Sequence, residues 1–230
     1  MRICVIIPTL NEAENLTSLL PYVKKEVNDQ DMIVVTDAGS TDETQSVCTK
    51  NGVHFFPSPT PGRGPQMNAA VAAFPEADVY YFVHADTRPP QGFVQDIARG
   101  ISDGCPVGCY RFTFDSRHPL LAINAYFTRF KSLACRGGDQ SLYISREAFL
   151  ELNGFREGMR IMEDYDIIER AWNNYSFRVI PRNITVSARK YRANNYFRVQ
   201  FANLIVFRMY KKGAEQQAMI NRYRSLLNEW

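Results

Sequence analysis

The chain has 230 residues, 45% of them hydrophobic and 22% charged, with a net charge of +3. This composition excludes a disordered or collagen-like chain and allows one domain with a sizeable core. The five cysteines are odd in number and form no CxxC pair, so neither a zinc site nor a disulfide framework is predicted, and a cytoplasmic location is favoured. The apolar run after Met1 is too short for a signal peptide or a membrane span.

The first half of the chain alternates between predicted strands and helices. The strands are Ile3–Pro8, Met32–Thr36, Val53–Phe56 and a run around Tyr80–Val83. Asn11 is a candidate N-cap for the first helix, Ser40 or Thr41 for the second, and a third helix is expected over residues 66–74. Alternation of this kind predicts a mostly parallel sheet with helices on both faces, an α/β fold.

The pattern changes after about residue 103. Strands are expected at 108–115, 140–144 and 177–181, with a helical segment at 120–133 and further helices at 145–152 and 162–173. No repeat or clear linker interrupts the chain. We therefore predict one domain over residues 1–230, with halves at about 1–103 and 104–185 and a tail at about 186–230.

The tail is strongly basic. From Arg189 onward, nine lysines and arginines face two glutamates, a net charge of +7 that leaves −4 for the rest of the chain. Seven large apolar side chains are interspersed between residues 196 and 209. Two interpretations remain open: an amphipathic helix that packs on the domain, or a contact with a membrane surface or a second copy.

Polar side chains follow three of the predicted parallel strands. They are Thr9, Asn11 and Glu12 after the first strand, Asp37 after the second, and His84 and Asp86 after the fourth. The carboxyl ends of parallel strands share one edge of a sheet, which is where ligands bind in open α/β folds. Asp86 offers oxygen ligands of the kind that Mg²⁺ and Mn²⁺ prefer, although an ordinary turn at a strand end is the alternative.

Arg63 lies in a loop rich in glycine and proline just before a predicted helix. Phosphate groups bind readily at helix N-termini, and an arginine there can assist them. A solvated loop arginine is the alternative for Arg63 taken alone.

Four stretches of the sequence resemble the family 2 glycosyltransferases. They are residues 6–12 (IIPTLNE), 34–44 (VVTDAGSTDET), 82–87 (FVHADT) and the Glu163-Asp164 pair, and they occur in the order of that family. Residues 62–69 (GRGPQMNA) and the His-Ala-Asp form resemble one bacterial subgroup, the radical-SAM/selenodomain-associated transferases 2. Matches extend from about residue 3 to residue 171.

The resemblance implies an A-type glycosyltransferase fold that binds a nucleotide-diphosphate sugar, with a UDP-sugar as the first candidate. The first half would bind the donor and the second half the acceptor. Asp86 stands at the last position of the family's DxD motif and would bind the divalent cation, Mn²⁺ or Mg²⁺. Two positions depart from the family pattern, because Ala38 and His84 replace aspartates. The donor-binding set implied is Thr9, Asn11, Glu12, Asp37, Arg63, Asn68, His84, Ala85 and Asp86.

The same resemblance implies that Asp164 is the catalytic base of an inverting transfer. It would take the proton of the acceptor hydroxyl as that hydroxyl attacks the anomeric carbon. Gly138, Asp139, Gln140 and Glu163 would line the acceptor or sugar pocket. The ordinary alternatives are a glycine turn at 137–140 and acidic residues in the first turn of a helix at Glu163-Asp164.

Two other functions compete with glycosyl transfer. A sugar-phosphate nucleotidyltransferase usually carries a glycine-rich basic loop after its first strand, whereas residues 9–14 here are acidic and lack glycine. A catalytically idle nucleotide-sugar-binding or membrane-adaptor module would not need Asp86 and Asp164. Nucleic-acid binding has no motif to support it. The sequence does not identify the acceptor, and a lipid-linked hydroxyl at the inner face of the membrane is one candidate. A second copy of the chain, in a homodimer, is a possible protein partner.

Overall fold

Within residues 1–228, which the computed structural model describes, eight strands form one mixed sheet in the order β3-β2-β1-β4-β7-β6-β8-β5. The last two residues of the predicted tail lie outside this range. The strands are β1 Ile3–Thr9, β2 Met32–Asp37, β3 His54–Pro57, β4 Val79–Phe82, β5 Thr87–Arg88, β6 Val107–Phe114, β7 Leu142–Ser145 and β8 Phe177–Val186.

Ten α-helices connect and cover the strands in the described range. They are α1 Ala13–Lys24, α2 Thr44–Asn51, α3 Arg63–Ala73, α4 Phe93–Ser102, α5 Pro119–Phe127, α6 Arg146–Glu151, α7 Glu163–Asn174, α8 Arg189–Ala193, α9 Tyr196–Lys211 and α10 Gln216–Leu226. Two short 3-10 helices occupy Leu133–Cys135 and Gly138–Gln140.

The sheet changes character at β4. On one side of it, β1 pairs in parallel with β2 and β4, and β2 pairs in parallel with β3. On the other side, β7 is antiparallel to both β4 and β6, while β6 is parallel to β8. The predicted α/β class with a mostly parallel sheet is confirmed, and strands from both predicted halves belong to the same sheet.

Each face of the sheet buries its own apolar core. Because successive side chains of a strand point to opposite faces, Ile3, Val5 and Ile7 of β1 join one core, and Cys4 and Ile6 join the other. The first core includes side chains of α1 and α4, and the second includes side chains of α3, α6 and α7. This double coverage explains why β1 is apolar along almost its whole length.

The basic tail forms a short helix followed by a helical hairpin. Val199, Ala202 and Val206 of α9 pack against Met219, Ile220 and Tyr223 of α10, together with Ile161. The prediction of an amphipathic helix that packs on the domain describes this inner face. No helix in the described part of the chain has the length and apolarity needed to cross a membrane.

Both predicted helix caps in the first half are wrong. Helix α1 begins at Ala13 after Glu12, while Asn11 has a φ of 55° and its side-chain oxygen accepts the Thr41 N–H at 2.8 Å. Helix α2 begins at Thr44, and the Asp42 side chain accepts the Thr44 N–H. The Asn11 and Ser40 side chains therefore link neighbouring loops at the sheet edge instead of capping α1 and α2.

Candidate functional site

Asp37 is the most heavily hydrogen-bonded carboxylate at the sheet edge. It is 4% exposed and accepts the N–H groups of Gly39 and Ser40 at 2.9 and 2.8 Å, as well as the Ser40 hydroxyl. The Thr9 hydroxyl lies 3.3 Å from both Asp37 Oδ1 and the Thr36 carbonyl oxygen. The ends of β1 and β2 are thereby locked together, which gives the predicted base-binding edge a fixed shape.

Glu12 and Asp86 are joined by an arginine from the far end of the chain. Arg189 donates to Glu12 Oε1 at 2.8 Å and to Oε2 at 3.4 Å, and its Nε lies 3.3 Å from Asp86 Oδ2. The Glu12 hydrogen bond is the main cause that raises the pKa of Arg189, so this side chain stays charged. The sequence indicates Arg189 only as the first residue of a basic tail, and its place at this sheet edge was not predicted.

His84 and Asp86 lie in a tight turn, because β4 already ends at Phe82. The Thr87 N–H bonds to the His84 carbonyl oxygen at 3.1 Å, after which the two-residue strand β5 pairs antiparallel with β8. Burial, together with the charge of Arg63, lowers the pKa of His84 despite the nearby carboxylates. The turn named above as the alternative for this strand end is therefore present, and the predicted binding roles of His84 and Asp86 stay predictions.

At the start of α7, a carboxylate pair meets the start of α3. Arg63 Nε lies 2.8 Å from Glu163 Oε1, and Glu163 is 1% exposed. A Cβ at Gly64 would lie at ordinary contact distances from the Cβ atoms of Phe155 and Glu163, 3.4 and 3.7 Å, so α3 packs closely against the start of α7 at this point. Neither Glu163 oxygen has a hydrogen bond of good geometry among the described residues. The ion pair of Arg63 and Glu163 is therefore held by charge rather than by directional hydrogen bonds.

Asp164 follows Glu163 and faces a small cleft. His84, Gly137 and Ser141 line the same cleft, which brings the β4–β5 turn opposite the start of α7. Burial, and then the charge of Glu163, raise the pKa of Asp164 to about 7, against the lowering effect of Arg63. A carboxylate with this pKa can accept a proton near neutral pH.

The other predicted site residues have varied surroundings. Asp139 is exposed in the second 3-10 helix, which Gly138 begins, and its charge acts on His84 and Asp164. Gln140 is fully buried and donates to the Cys135 carbonyl oxygen at 3.1 Å. The Asn68 amide bonds to both the N–H and the carbonyl oxygen of Phe155. The Ala85 side chain lies in the core. The roles predicted for these residues stay predictions.

Asp86 is the carboxylate at this edge that is predicted to bind a divalent cation. Asp86 is 23% exposed, and its Oδ2 lies 3.3 Å from the Arg189 Nε. Within that same range, no cluster of three or more His, Cys, Asp or Glu side chains is suited to holding a metal ion. Mg²⁺ and Mn²⁺ sites commonly combine one or two carboxylates with substrate phosphates and water. The donor set at Asp86 fits a cation of this kind when a diphosphate is present.

The family model for glycosyl transferase family 2 matches residues 4–146, more than half of the chain. The chain belongs to this family of glycosyltransferases, which confirms the resemblance to family 2, and the assignment to one bacterial subgroup stays a prediction. The match does not reach Asp164 or Arg189. No protein with a curated function matches the sequence significantly.

Solved structures with the same fold include glycosyltransferases of low sequence identity. A Pyrobaculum calidifontis mannosyltransferase, in complex with GDP-Man and Mn²⁺, has a TM-score of 0.71 and 17% identity over 98% of this chain and 69% of its own. Glucosyl-3-phosphoglycerate synthase from Mycobacterium tuberculosis, in complex with Mn²⁺, UDP and glucosyl-3-phosphoglycerate, has a TM-score of 0.64 and 18% identity, over 93% of this chain and 80% of its own. TarS 1–349 from S. aureus, in complex with UDP, has a TM-score of 0.65 and 19% identity, over 99% of this chain and 71% of its own. The A-type glycosyltransferase fold is therefore confirmed.

Proposed function

We propose that this glycosyltransferase moves a sugar from a nucleotide diphosphate to an acceptor hydroxyl, with inversion at the anomeric carbon. The observation that carries the proposal is Asp164, a buried carboxylate with a raised pKa at a cleft shared with the β4–β5 turn. A proton acceptor at a cleft beside the donor edge is the arrangement that a single displacement needs.

The donor would lie along the carboxyl edge of β1, β2 and β4. Asp37, held in place by Thr9 and Ser40, supports a base-binding role, and Glu12 and Asp86 flank the space for ribose and diphosphate. The similar structures contain UDP or GDP donors or products, which makes these bases the first to test. The donor base and sugar are the open part of this proposal.

The transfer step needs one base and one leaving group. Asp164 takes the proton of the acceptor hydroxyl while the acceptor oxygen forms a bond to the anomeric carbon. The bond between that carbon and the diphosphate oxygen breaks, and the electron pair leaves with the nucleoside diphosphate. Asp86 would hold a divalent cation, which supplies positive charge to stabilise the leaving diphosphate when it is bound. Arg63, held by Glu163, adds a fixed positive charge near Asp164.

The donor site is tested by thermal shift with UDP, GDP, ADP and dTDP, each with and without Mn²⁺, on the wild type and on Asp86→Ala. Ligands that bind the native state raise Tm by mass action. We expect a shift for one nucleotide that requires both Mn²⁺ and Asp86. The absence of a shift with every nucleotide would contradict the donor site and favour an idle adaptor module.

We also propose a peripheral contact with the anionic inner face of the membrane, and thus a cytoplasmic location. Two exposed apolar patches lie in segments without any carboxylate, residues 116–137 and 196–211. The first patch contains Ile123, Tyr126, Phe127 and Phe130, and the second contains Phe197, Phe201 and Leu204. Aromatic side chains among basic ones are typical of surfaces that bind anionic bilayers.

Charge favours lipid over a second copy of the chain on these patches. Arg117, Arg129 and Lys131 flank the first patch, and Arg198 and Arg208 flank the second. Two such basic surfaces would repel each other in a symmetric dimer, whereas an anionic bilayer attracts both. A bilayer contact through the first patch, which lies in the predicted acceptor half, would suit a lipid-linked acceptor.

Vesicle sedimentation tests this contact with phosphatidylcholine alone and with added phosphatidylglycerol. We expect binding only to the anionic vesicles, and loss of binding in a Phe197→Ser/Phe201→Ser variant. Leu150→Ser, which removes a side chain that is 57% exposed on α6, is the matched control and should bind normally. Failure to bind anionic vesicles would contradict the proposal, and a concentration-dependent doubling of mass would replace it with a dimer.

A further inference from the structure

Arg189 connects two carboxylates that the chain order keeps far apart. It is the first residue of α8, directly after the sheet ends, whereas Glu12 precedes α1 and Asp86 lies in the β4–β5 turn. Its guanidinium forms a two-pronged contact with Glu12 and a single, longer contact with Asp86. One N–H of each terminal nitrogen remains available for another acceptor, because each carries two hydrogens.

The surroundings of Arg189 suit an exchange of partners. The side chain is 57% exposed, whereas Glu12 and Asp86 are 16% and 23% exposed. Two carboxylates against one guanidinium leave a net charge of −1, which attracts a divalent cation. A guanidinium matches phosphate oxygens in geometry and remains charged at all relevant pH values.

We infer that Arg189 is a tethered cation of the donor site that competes with the divalent metal for Asp86. Without a donor, Arg189 neutralises Glu12 and Asp86 together. When metal and nucleotide diphosphate bind, Arg189 releases Asp86, stays attached to Glu12 and directs its remaining N–H groups to the diphosphate. This inference rests on the proposed donor site and assigns that site a residue beyond the matched motifs.

Competition between Arg189 and the metal predicts that removing the guanidinium changes Mn²⁺ affinity and nucleotide affinity in opposite directions. Removing the guanidinium frees Asp86, so the donor-free protein should bind Mn²⁺ more tightly. The same change removes a phosphate ligand, so nucleoside diphosphate should bind more weakly. A residue that only stabilised the fold, or only oriented Asp86 for the metal, would not produce this pair of effects.

The experiment measures Mn²⁺ binding without nucleotide, by electron paramagnetic resonance of the free ion, and UDP or GDP binding with Mn²⁺, by calorimetry. For Arg189→Gln we expect Mn²⁺ affinity to rise about three- to tenfold. Nucleotide affinity should fall by about ten- to a hundredfold. Arg189→Lys keeps the charge but loses the fork, so it should retain most of the competition and only part of the nucleotide affinity.

Arg192→Gln is the matched control. The Arg192 side chain lies on the same short helix, is 74% exposed and pairs with Asp115 at 3.7 Å. Its substitution removes the same charge without altering the contacts of Glu12 or Asp86. Its Mn²⁺ and nucleotide affinities should equal those of the wild type.

The outcomes separate this inference from the function on which it rests. If wild-type protein binds neither nucleotide, the donor site itself is contradicted in its UDP or GDP form. If the wild type binds nucleotide and Arg189→Gln binds Mn²⁺ equally or more weakly, the competition is wrong while the donor site stands. Equal changes in Arg189→Gln and Arg192→Gln would reduce the effect to general charge and overturn the inference.

Discussion

Two buried carboxylates in this molecule, Asp37 and Glu163, are stabilised in different ways. Asp37 accepts two backbone N–H groups and a hydroxyl, so its charge is balanced by directional bonds. Glu163 has only the positive charge of Arg63 beside it and no hydrogen bond of good geometry within the described residues. The first arrangement fixes a shape, whereas the second maintains a strong local field next to Asp164.

This difference separates the binding and the chemical parts of the site. Several directional donors hold a carboxylate such as Asp37 in one orientation, which suits recognition of a ligand with a fixed outline. Burial, and then the charge of Glu163, raise the pKa of Asp164, which suits proton transfer. Substitutions in the chemical region should therefore change the transfer rate, whereas substitutions in the surrounding scaffold should change stability.

The largest effect is expected from Asp164→Asn. An amide of the same shape cannot accept the proton, so the transfer rate should fall by about 10²- to 10⁴-fold, the usual contribution of a general base. Nucleotide affinity should change little, because the substitution lies outside the donor edge. Single-turnover transfer and calorimetric nucleotide binding measure the two quantities. Normal transfer by this variant would refute the assignment of Asp164 as the base.

The pH profile should report the same carboxylate. Asp164 must be ionised to act as a base, and its pKa is raised to about 7. Below that pH, kcat/KM should fall about tenfold per unit, and above it the limb should level off. The charged or titratable groups acting on Asp164 or facing it across the cleft are Glu163, Arg63, Asp139 and His84.

Glu163→Gln sharpens this test. It removes the neighbouring negative charge that raises the pKa of Asp164 and leaves the lowering charge of Arg63 in place. The acid limb of kcat/KM should therefore move to lower pH. A limb that stays in place, or moves to higher pH, would show that another group controls it.

Gly154→Ala tests the scaffold around the catalytic half. Gly154 has a φ of +60°, and a Cβ there would lie 2.7 Å from Asn68 Oδ1, the atom that accepts the Phe155 N–H. We expect the free energy of unfolding to fall by about 2–4 kcal/mol, from backbone strain and the clash together. Gly104→Ala has a φ of +75° with no atom within 4 Å of the added Cβ, and should cost only about 1 kcal/mol. Urea denaturation measures both, and equal losses would exclude a special role for the Asn68 contact.

The smallest effect is expected from Ser40→Ala in the well-bonded region. The change removes the hydroxyl that donates to Asp37, whereas the two N–H groups that donate to Asp37 remain. It also removes the acceptor of the Asn11 N–H, which is exposed to solvent. The free energy of unfolding should fall by about 1 kcal/mol. Ser102→Ala, at an exposed hydroxyl on α4, provides the control and should fall within about 0.5 kcal/mol of the wild type. A loss of several kcal/mol would mean that Asp37 depends on this one hydroxyl.

The alternating first half was predictable because its signals are local. Continuous apolar runs for β1 and β2, each followed by polar residues, place Thr9 and Asp37 at a common edge once the strands are parallel, and the β1–β2 pairing aligns these two residues. The family motifs lie in the same stretches, so the family and fold could be identified before any coordinates. Helix α4 is absent from the predicted elements; it begins at Phe93, directly after Gly92, whose φ of 71° lies in the left-handed region.

The sequence by itself determined the α/β class, the family and the polar residues at the carboxyl ends of β1, β2 and β4, because hydrophobic periodicity and short motifs depend on neighbours along the chain. Tertiary structure decided which distant charges meet. The contact of Arg189 with Glu12 spans 177 positions, and that of Arg63 with Glu163 joins two separate helices. Long-range ion pairs leave no periodic trace in a sequence, since their geometry exists only after the sheet has brought its edges and loops together.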